Sequence, residues 1–380
     1  RLHRLHQAVG EVIAQHRPDV ASVEQVFVAL SPRSALVLGQ ARGAVLAALG
    51  AAGLVIHEYA PAQIKRAVTG NGRAPKSQIQ HMVRSLLIAL LSNGHLLVEG
   101  APGLAKTTAI KVIADRIAGD FHRIQFTPDL LPADLTGTEI YRPQEGSFEF
   151  QQGPIFHNLI LADEVNRAPA KVQSALLEAM GEHQVTVGRV TYRLPKLFLV
   201  MATQNPIEQE GTYPLPEAQL DRFLMQVSIG YPDAQAEKEI LELARGQARE
   251  ELGQKPEAPV LVTQEQVFLA QAGVLDLYLA PALEDYIVQL VLASRDPGSW
   301  DPEMARLVSY GASPRATIAL DRCARARAWL DERDYVSPDD VHAVVHDVLR
   351  HRVLLSYEAE ADGVSVDQLT DRLLDRIPVP

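Results

Sequence analysis

Short apolar runs alternate with amphipathic stretches up to about residue 231, and helical periodicity dominates the chain beyond it. The runs at 96–98, 159–162 and 197–202 are continuous rather than alternating, which is typical of parallel strands buried on both faces of a sheet. Apolar residues at 110, 113 and 117 recur at helical spacing after the first run. The pattern predicts an α/β domain with a parallel sheet.

The chain after Pro232 shows almost uninterrupted helical spacing, which predicts a separate helical domain. Ser313 and Pro314 supply a helix cap followed by a proline in the first turn, so a helix is expected to begin there. The predicted helices of this region are 234–249, 263–277, 283–294, 314–331 and 338–349.

The first ninety residues follow the order α-β-α-β-α, which predicts half of an α/β domain. Strands are expected at 21–27 and 54–56, and an alanine-rich helix is expected between them. Helices are predicted at 2–15, 34–49, 64–68 and 76–91, and the last of these leads into the apolar run at 96–98.

Composition narrows the class of protein. The chain has 380 residues, 47% of them hydrophobic, and a formal net charge of −11. No apolar run is long enough to span a bilayer and no secretion signal is evident, so a cytoplasmic protein without a membrane partner is expected. The single cysteine, Cys323, excludes an internal disulfide framework and is expected to be buried and inert.

The charge is unevenly distributed along the chain. Residues 1–90 carry ten Lys and Arg against four Asp and Glu, whereas residues 91–380 carry 26 against 43. A basic segment suits a polyanion such as DNA, and ordinary scatter of surface charge explains the asymmetry equally well. The acidic remainder makes nucleic-acid binding by that part unfavourable.

A phosphate-binding loop is predicted between the apolar run at 96–98 and the helix that follows it. Backbone N–H groups of the turn and of the helix N-terminus would wrap the phosphates of ATP, Lys106 would reach the β and γ oxygens, and the Thr107 hydroxyl would ligate Mg²⁺. Ala105 stands where the pattern G-x-x-x-x-G-K-[ST] has its second glycine, so a chance glycine turn remains the alternative. The nucleotide-binding residues predicted here are Gly100, Ala101, Pro102, Gly103, Leu104, Ala105, Lys106, Thr107 and Thr108.

Four further residues downstream are candidates for the same site. Asp163 and Glu164 end the run at 159–162, where a carboxylate can ligate Mg²⁺ through water and its neighbour can polarise the attacking water. Asn205 follows the run at 197–202 and could sense the γ-phosphate, or it could simply form a turn before proline. Arg222 could reach the nucleotide of a neighbouring subunit, or it could cap its own helix.

Arg315 is the last candidate, in the first turn of the helix expected after Ser313. A cation at a helix N-terminus is unfavourable, so contact with a phosphate shared between two domains is preferred over a plain surface position. Rotation of the helical domain would then report whether ATP or ADP is bound.

Five motifs in these regions resemble the MoxR family of AAA+ ATPases over about residues 86–380: G-A-P-G-L-A-K-T, L-A-D-E-V-N-R-A, M-A-T-Q-N-P, L-P-E-A-Q-L-D-R-F and G-A-S-P-R-A. In that family an alanine precedes the lysine of the loop. The resemblance implies Walker A at 100–107, Walker B at Asp163 and Glu164, sensor 1 at Asn205, an arginine finger at Arg222 and sensor 2 at Arg315.

The same resemblance implies partners and an architecture. It implies a ring, taken to be hexameric, that hydrolyses ATP with Mg²⁺ and remodels or matures a client protein, with a von Willebrand-type protein among the candidate partners. It also implies that 148–156 belongs to a helix-2 insertion and that 184–194 is a pre-sensor-1 hairpin, both facing the ring pore. The resemblance also leads us to expect that resolvase-like sequence replaces the family's segment that contacts adenine.

Residues 1–85 resemble the RuvC-type Holliday-junction resolvases through A-S-V-E-Q-V-F, S-A-L-V-L-G-Q-A-R-G and the stretch from Glu58 to Val83. In that family four carboxylates hold two Mg²⁺ ions on a ribonuclease-H-like sheet, and Glu24 matches one of them. One carboxylate cannot build a two-metal site, so an inactive fragment is expected. Glu24 is then a partly buried carboxylate without metal.

Together these observations predict an AAA+ P-loop parallel sheet with a helical lid, preceded by a partial ribonuclease-H-like α/β fragment. The expected domains are 1–85, 86–231 and 232–380, with residues 79–91 as one helix across the first join. The alternatives are a DNA-binding or junction-resolving protein, with nucleic acid contacted through the basic fragment, and a chimera of two genes without a joint function.

Overall fold

The computed structural model describes residues 7, 9–10, 12–14, 18, 20–24, 45–59, 76–100, 106–205, 212–230 and 261–380; of these, 20–24, 55–59, 76–79 and 106–108 are described by their backbone alone. Contacts divide the chain into two units. The first comprises Arg1–Lys76 and Pro232–Lys255, and the second comprises Ser77–Tyr231 and Pro256–Pro380.

The first unit contains a pair of parallel strands. β1 (Val20–Glu24) pairs with β2 (Val55–Tyr59), and the register places Val20 opposite Val55 and Glu24 opposite Tyr59. Parallel neighbours need a crossover between them, and residues 45–51 of that crossover are helical. The expected helices at 2–15, 34–49 and 64–68 fall wholly or partly outside the described residues.

The second unit is built on a five-stranded parallel sheet in the order β11-β3-β10-β7-β4. This arrangement confirms the predicted α/β class with a parallel sheet. The five strands are β3 (Leu96–Gly100), β4 (Phe121–Gln125), β7 (Leu159–Asp163), β10 (Leu199–Gln204) and β11 (Met225–Ile229). The helices of this part are α1 (Lys76–Leu91), α2 (Lys106–Arg116), α3 (Pro132–Thr136), α4 (Ala170–Glu182) and α5 (Glu217–Leu220).

The apolar runs are continuous because each central strand is buried on both faces. In β3, Leu96 and Val98 pack into one core cluster with α1 and the lid, whereas Leu97 packs into a second cluster with α4. β10 divides in the same way, since Met201 joins the first cluster and Val200 joins the second. The two-sided burial leaves only the strand ends free to carry polar side chains.

Two antiparallel hairpins project from the sheet domain. β5 (Gly137–Arg142) pairs with β6 (Ser147–Gln152), and β8 (Gln184–Val187) pairs with β9 (Val190–Arg193). The hairpin expected at 184–194 is therefore confirmed. Phe150 stacks on Tyr192 with ring centroids 3.9 Å apart, which joins the two hairpins.

The lid consists of helices with a short strand pair. Its elements are α6 (Gln264–Asp276), α7 (Pro281–Arg295), β12 (Val308–Tyr310), α8 (Pro314–Leu330), α9 (Pro338–Leu349), β13 (Leu354–Leu355), α10 (Tyr357–Ala361) and α11 (Val366–Arg376). The last two helices extend the predicted set. The helix expected at 234–249 lies outside the described residues, and within the described ones no helix is long and apolar enough to cross a membrane.

Candidate functional site

The predicted phosphate loop connects β3 to α2. β3 ends at Gly100 and α2 begins at Lys106, so a strand precedes and a helix follows the predicted loop. A Cβ on Gly100 would lie 2.6 Å from the carbonyl oxygen of Ile229 in β11, which explains the glycine at this point. Ala101, Pro102, Gly103, Leu104 and Ala105 and the side chains of Lys106, Thr107 and Thr108 lie outside the described residues.

His95 lies directly before β3, at the end of the strand opposite the predicted phosphate loop. Its Nδ1 accepts a hydrogen bond from the Val200 N–H at 3.1 Å, so its Nε2–H donates to the Met180 carbonyl at 3.2 Å. Burial is the main reason why the pKa of His95 falls to about 4, and the nearby His183 lowers it further. The imidazole is therefore neutral at physiological pH, and it ties β3 to β10 and α4.

Asp163 lies at the carboxyl end of β7, as predicted, with two partners. Its Oδ1 accepts from the Thr203 hydroxyl at 2.5 Å, and its Oδ2 forms an ion pair with Arg123 Nη2 at 2.6 Å. The side chain is 14% exposed, so the carboxylate faces the open edge of the sheet without being fully solvated. Thr203 comes from β10 and Arg123 from β4, the two strands on either side of β7.

Glu164 takes a left-handed backbone conformation (φ 57°), which turns the chain sharply after β7. Its Oε2 accepts from Gln125 Nε2 at 2.8 Å and lies 3.2 Å from Arg167 Nε. The backbone N–H of Glu164 donates to the hydroxyl of Thr203 at 2.9 Å. A strained backbone held by several partners is a feature of functional sites.

These contacts close into one polar network at the sheet edge. Arg123 Nη2 donates to Gln125 Oε1 at 3.0 Å, which links the partner of Asp163 to the partner of Glu164. On the other side, the Thr203 hydroxyl contacts both Asp163 Oδ1 and the backbone N–H of Glu164. Sequence reasoning missed Arg123, Gln125 and Thr203, although the first two lie on the same face of β4 on either side of the buried Ile124, and that alternation was the signal available.

Asn205 follows β10 and is buried, with 7% of its surface exposed. Its carbonyl oxygen accepts from Asn166 Nδ2 at 3.5 Å. Asn166 in turn accepts at its backbone carbonyl from the Tyr213 N–H at 2.6 Å. Asn205 is therefore a buried residue at the end of a central strand, two positions after Thr203.

Arg222 lies in the turn between α5 and β11, just beyond the short helix that was expected to contain it. Its Nη1 donates to the Leu177 carbonyl of α4 at 3.0 Å. The guanidinium rests on the backbone of α4 at Gly181, where a Cβ would overlap Nη1. The side chain thus contacts α4 rather than a carbonyl of the helix that precedes it.

Arg315 lies in the first turn of α8, which Ser313 caps as predicted. Its Nη1 is 3.5 Å from Asp221 Oδ2, and its side chain is 54% exposed. The structure therefore brings Arg315 next to the residue that precedes Arg222, and it brings Asp163 and Glu164 together in a second group.

The sheet edge fits a magnesium-bound nucleotide. Among the described residues there is no cluster of three or more His, Cys, Asp or Glu side chains that could enclose a metal. Mg²⁺ bound with nucleotide needs only one or two protein oxygens, because phosphates and water supply the other ligands. Asp163 offers such an oxygen at the carboxyl end of a parallel strand, the edge where α/β sheets bind ligands. Glu24 lies in β1, where only the backbone is described.

The parallel sheet and the acidic residues at the carboxyl ends of its strands together define a P-loop ATPase of the AAA class. Residues 95–225 match the model of the ATPase family associated with various cellular activities, and residues 304–373 match the AAA lid domain. The chain is 46% identical to a solved crystal structure from Cytophaga hutchinsonii, assigned as an ATPase, with a TM-score of 0.75, covering 83% of this chain and 94% of that one.

Curated relatives identify the family within this class. The chain is 44% identical over 336 residues to Chaperone MoxR1 of Mycobacterium tuberculosis, which covers 87% of this chain and 85% of the relative. It is 34% identical to Protein MoxR of Methylorubrum extorquens over 84% of this chain and 93% of the relative. The chain belongs to the MoxR family of AAA+ ATPases, so it is an ATPase with a chaperone-like role.

The N-terminal segment is similar to a different family. Residues 1–97 match the model of the crossover junction endodeoxyribonuclease RuvC. RuvC of Alkalilimnicola ehrlichii is 56% identical over 87 residues, which are 23% of this chain and 53% of the relative. The chain thus spans about half the length of the RuvC proteins it matches, and both predicted resemblances are confirmed.

Proposed function

We propose that residues 86–380 hydrolyse Mg²⁺-bound ATP in a hexameric ring and use the cycle to remodel or mature a client protein. The observation that carries this proposal is the hydroxyl of Thr203, which contacts both Asp163 Oδ1 and the backbone N–H of Glu164. It fixes the two acidic residues at the sheet edge where a strand, a turn and a helix would hold the phosphates.

Each residue has a distinct task in this proposal. Mg²⁺, held by Thr107 and through water by Asp163, would neutralise charge on the β and γ phosphates. Lys106 binds the same oxygens, and Glu164 orients the attacking water. Gln125 supports that orientation because it holds the carboxylate of Glu164.

The remaining residues connect nucleotide sites around the ring. Asn205 senses the γ-phosphate, and Arg222 enters the neighbouring subunit's site, which requires a closed head-to-tail interface. Arg315 contacts the nucleotide from the lid. We assign the sheet domain to 86–231, the lid to 232–380 and the resolvase-like fragment to 1–85, and we place a von Willebrand-type protein among the candidate partners.

The hydrolytic assignment is tested with two variants and a control. Lys106→Ala is expected to lose binding of a fluorescent ATP analogue, because the cation that contacts the phosphates is gone. Glu164→Gln is expected to retain binding while kcat falls by about 100-fold or more, since the group that polarises water is neutral. Glu178→Gln changes an exposed carboxylate on α4 and should match the wild type. Full hydrolysis by Glu164→Gln, or hydrolysis in EDTA, would contradict the assignment.

We propose that the N-terminal fragment does not cut nucleic acid and that it is the part of the chain through which nucleic acid would be bound. Its charge is positive, and Glu24 is the one residue matched to the RuvC carboxylates. Incubation of the full chain with a labelled four-way junction and Mg²⁺ should therefore give no cleavage. Cleavage that disappears in Glu24→Gln would show that this fragment is a nuclease.

A further inference from the structure

Three consecutive lid residues hold the backbone of the turn that carries Arg222. Arg350, His351 and Arg352 follow α9, and each donates to a main-chain carbonyl between residues 221 and 226. His351 Nε2 donates to the carbonyl of Phe223 at 3.1 Å. Burial, and then the charge of Arg352, lower the pKa of His351 well below its ordinary value, so the ring is a neutral donor.

Arg352 has the most complete set of contacts of the three. Its side chain is 2% exposed, and Nε pairs with Asp221 Oδ1 at 2.8 Å. The other donors go to the carbonyls of Asp221, Phe223, Leu224 and Val348. An arginine has five N–H groups, and each has an acceptor here. Four of the five contacts lie on the Asp221–Leu224 turn, and the fifth anchors the guanidinium to α9.

Asp221 receives lid groups from a second direction as well. Its Oδ2 accepts from the Ser313 hydroxyl at 2.8 Å and lies 3.5 Å from Arg315 Nη1. The residue directly before Arg222 is thus bound by α9 through Arg352 and by the start of α8 through Ser313 and Arg315. The turn is therefore bound by the start of α8 and by the residues that follow α9.

The Arg222 side chain, by contrast, lies against the sheet domain. Its guanidinium contacts the Leu177 carbonyl and the backbone at Gly181, both in α4. The lid therefore sets the position of the Arg222 backbone, and α4 sets the direction of its guanidinium in the subunit described here.

We propose that Arg352 is a positioning residue for Arg222. Its contacts make the Asp221–Leu224 turn, called the finger turn, part of the lid. The nucleotide contacted by Arg315 therefore governs how far the Arg222 side chain reaches into the next subunit. The proposal rests on the proposed function. Displacement of an arginine finger by about 1 Å can lower the rate of hydrolysis by about 100-fold. The contacts of Arg352 with the finger turn, called the clamp, are therefore expected to affect kcat.

Mixing of subunits provides the test, because in the proposed ring a catalytic site and the arginine finger that acts on it come from different chains. Arg352→Gln should bind the fluorescent analogue with a Kd within about twofold of the wild type, while kcat falls by about tenfold or more. Arg222→Ala should behave in the same way with a larger loss, because an arginine finger contributes about 1,000-fold or more. Arg306→Gln, a lid arginine 60% exposed in a surface ion pair, is the matched control and should retain wild-type values.

Mixtures separate positioning from damage to the fold. Glu164→Gln lacks a working site but retains its finger, so in an equimolar mixture with Arg352→Gln about one quarter of interfaces combine an intact site with an intact finger. ATPase activity should reappear to the level that Arg222→Ala reaches with Glu164→Gln. A mixture of Arg352→Gln with Arg222→Ala should stay as inactive as its components.

Three results would overturn the proposal: near wild-type kcat in Arg352→Gln, no recovery with Glu164→Gln where Arg222→Ala recovers, or recovery with Arg222→Ala. If Arg352→Gln does not assemble, Asp221→Asn goes through the same mixtures, since it removes the carboxylate that Arg352 and Arg315 share. A wild-type protein without ATPase activity, or an Arg222→Ala variant that retains it, would refute the proposed function instead. Hydrogen exchange at residues 221–226 still tests the clamp then, and unchanged exchange in Arg352→Gln would overturn it.

Discussion

Replacing His95 by glutamine should remove much of the acid sensitivity of the ATPase unit. The ordinary pKa of histidine is 6.5, and burial lowers the pKa of His95 in the folded protein to about 4. Below pH 6.5 the unfolded chain therefore binds a proton at His95 that the folded chain does not bind. The contribution of His95 to the free energy of unfolding is present above pH 6.5 and is lost as the pH falls towards 4. The loss is about 2 kcal/mol between pH 7 and pH 5 and about 3 kcal/mol by pH 4.

Urea unfolding at pH 7, 6 and 5, followed by tryptophan fluorescence, measures this effect as a difference between proteins. Glutamine can still accept from the Val200 N–H and donate to the Met180 carbonyl, but it does not titrate. The stability difference between wild type and His95→Gln should therefore shrink by about 2 kcal/mol from pH 7 to pH 5. Leu97→Ala, a cavity variant in the same strand, should run parallel to the wild type. Parallel curves for His95→Gln would refute the reasoning.

Three further substitutions test other contacts. Gly181→Ala should leave the melting temperature unchanged or raise it, because alanine favours a helix by about 0.5–1 kcal/mol, yet it should lower kcat since its Cβ displaces the guanidinium of Arg222. Thr203→Val should cost about 1–3 kcal/mol in urea unfolding and reduce ATPase activity, as it removes the hydroxyl shared by the two acidic residues. Asp340→Ala should cost about 1–3 kcal/mol by thermal or urea unfolding, because it removes the buried carboxylate that accepts from Arg333 and from the Ser337 N–H.

The strands around the site could be predicted because burial on both faces leaves a direct trace in the sequence. The run at 159–162 has no polar residue until Asp163, so its length, its end and the chemistry of that end were visible together. The loop at 100–105 was recognisable from glycines and Lys106 for a similar reason, since phosphate binding restricts local residue types.

The contacts that hold these residues depend on pairs far apart in the chain. Arg352 and Asp221 are separated by 131 positions, and neither belongs to a local pattern. Thr203 was visible as a polar residue at a strand end, but its role depends on the neighbouring strand being β7, which sequence periodicity does not determine. α11 could have been predicted, because the buried residues Leu369, Leu373 and Ile377 recur every four positions. The sequence analysis nevertheless missed this helix.

Three buried polar side chains of the residues that the structure describes lie at joints between elements. His95 joins β3 to α4 and β10, Asp340 joins α9 to the turn after α8, and Arg352 joins the lid to the finger turn. Buried ionic groups contribute little net stability compared with well-packed apolar residues of similar volume. Arg352 is a different case, because its acceptors are mostly backbone carbonyls that an apolar replacement would leave unsatisfied. An arginine is therefore required at this joint by the turn itself, and the position of Arg222 follows from satisfying that turn.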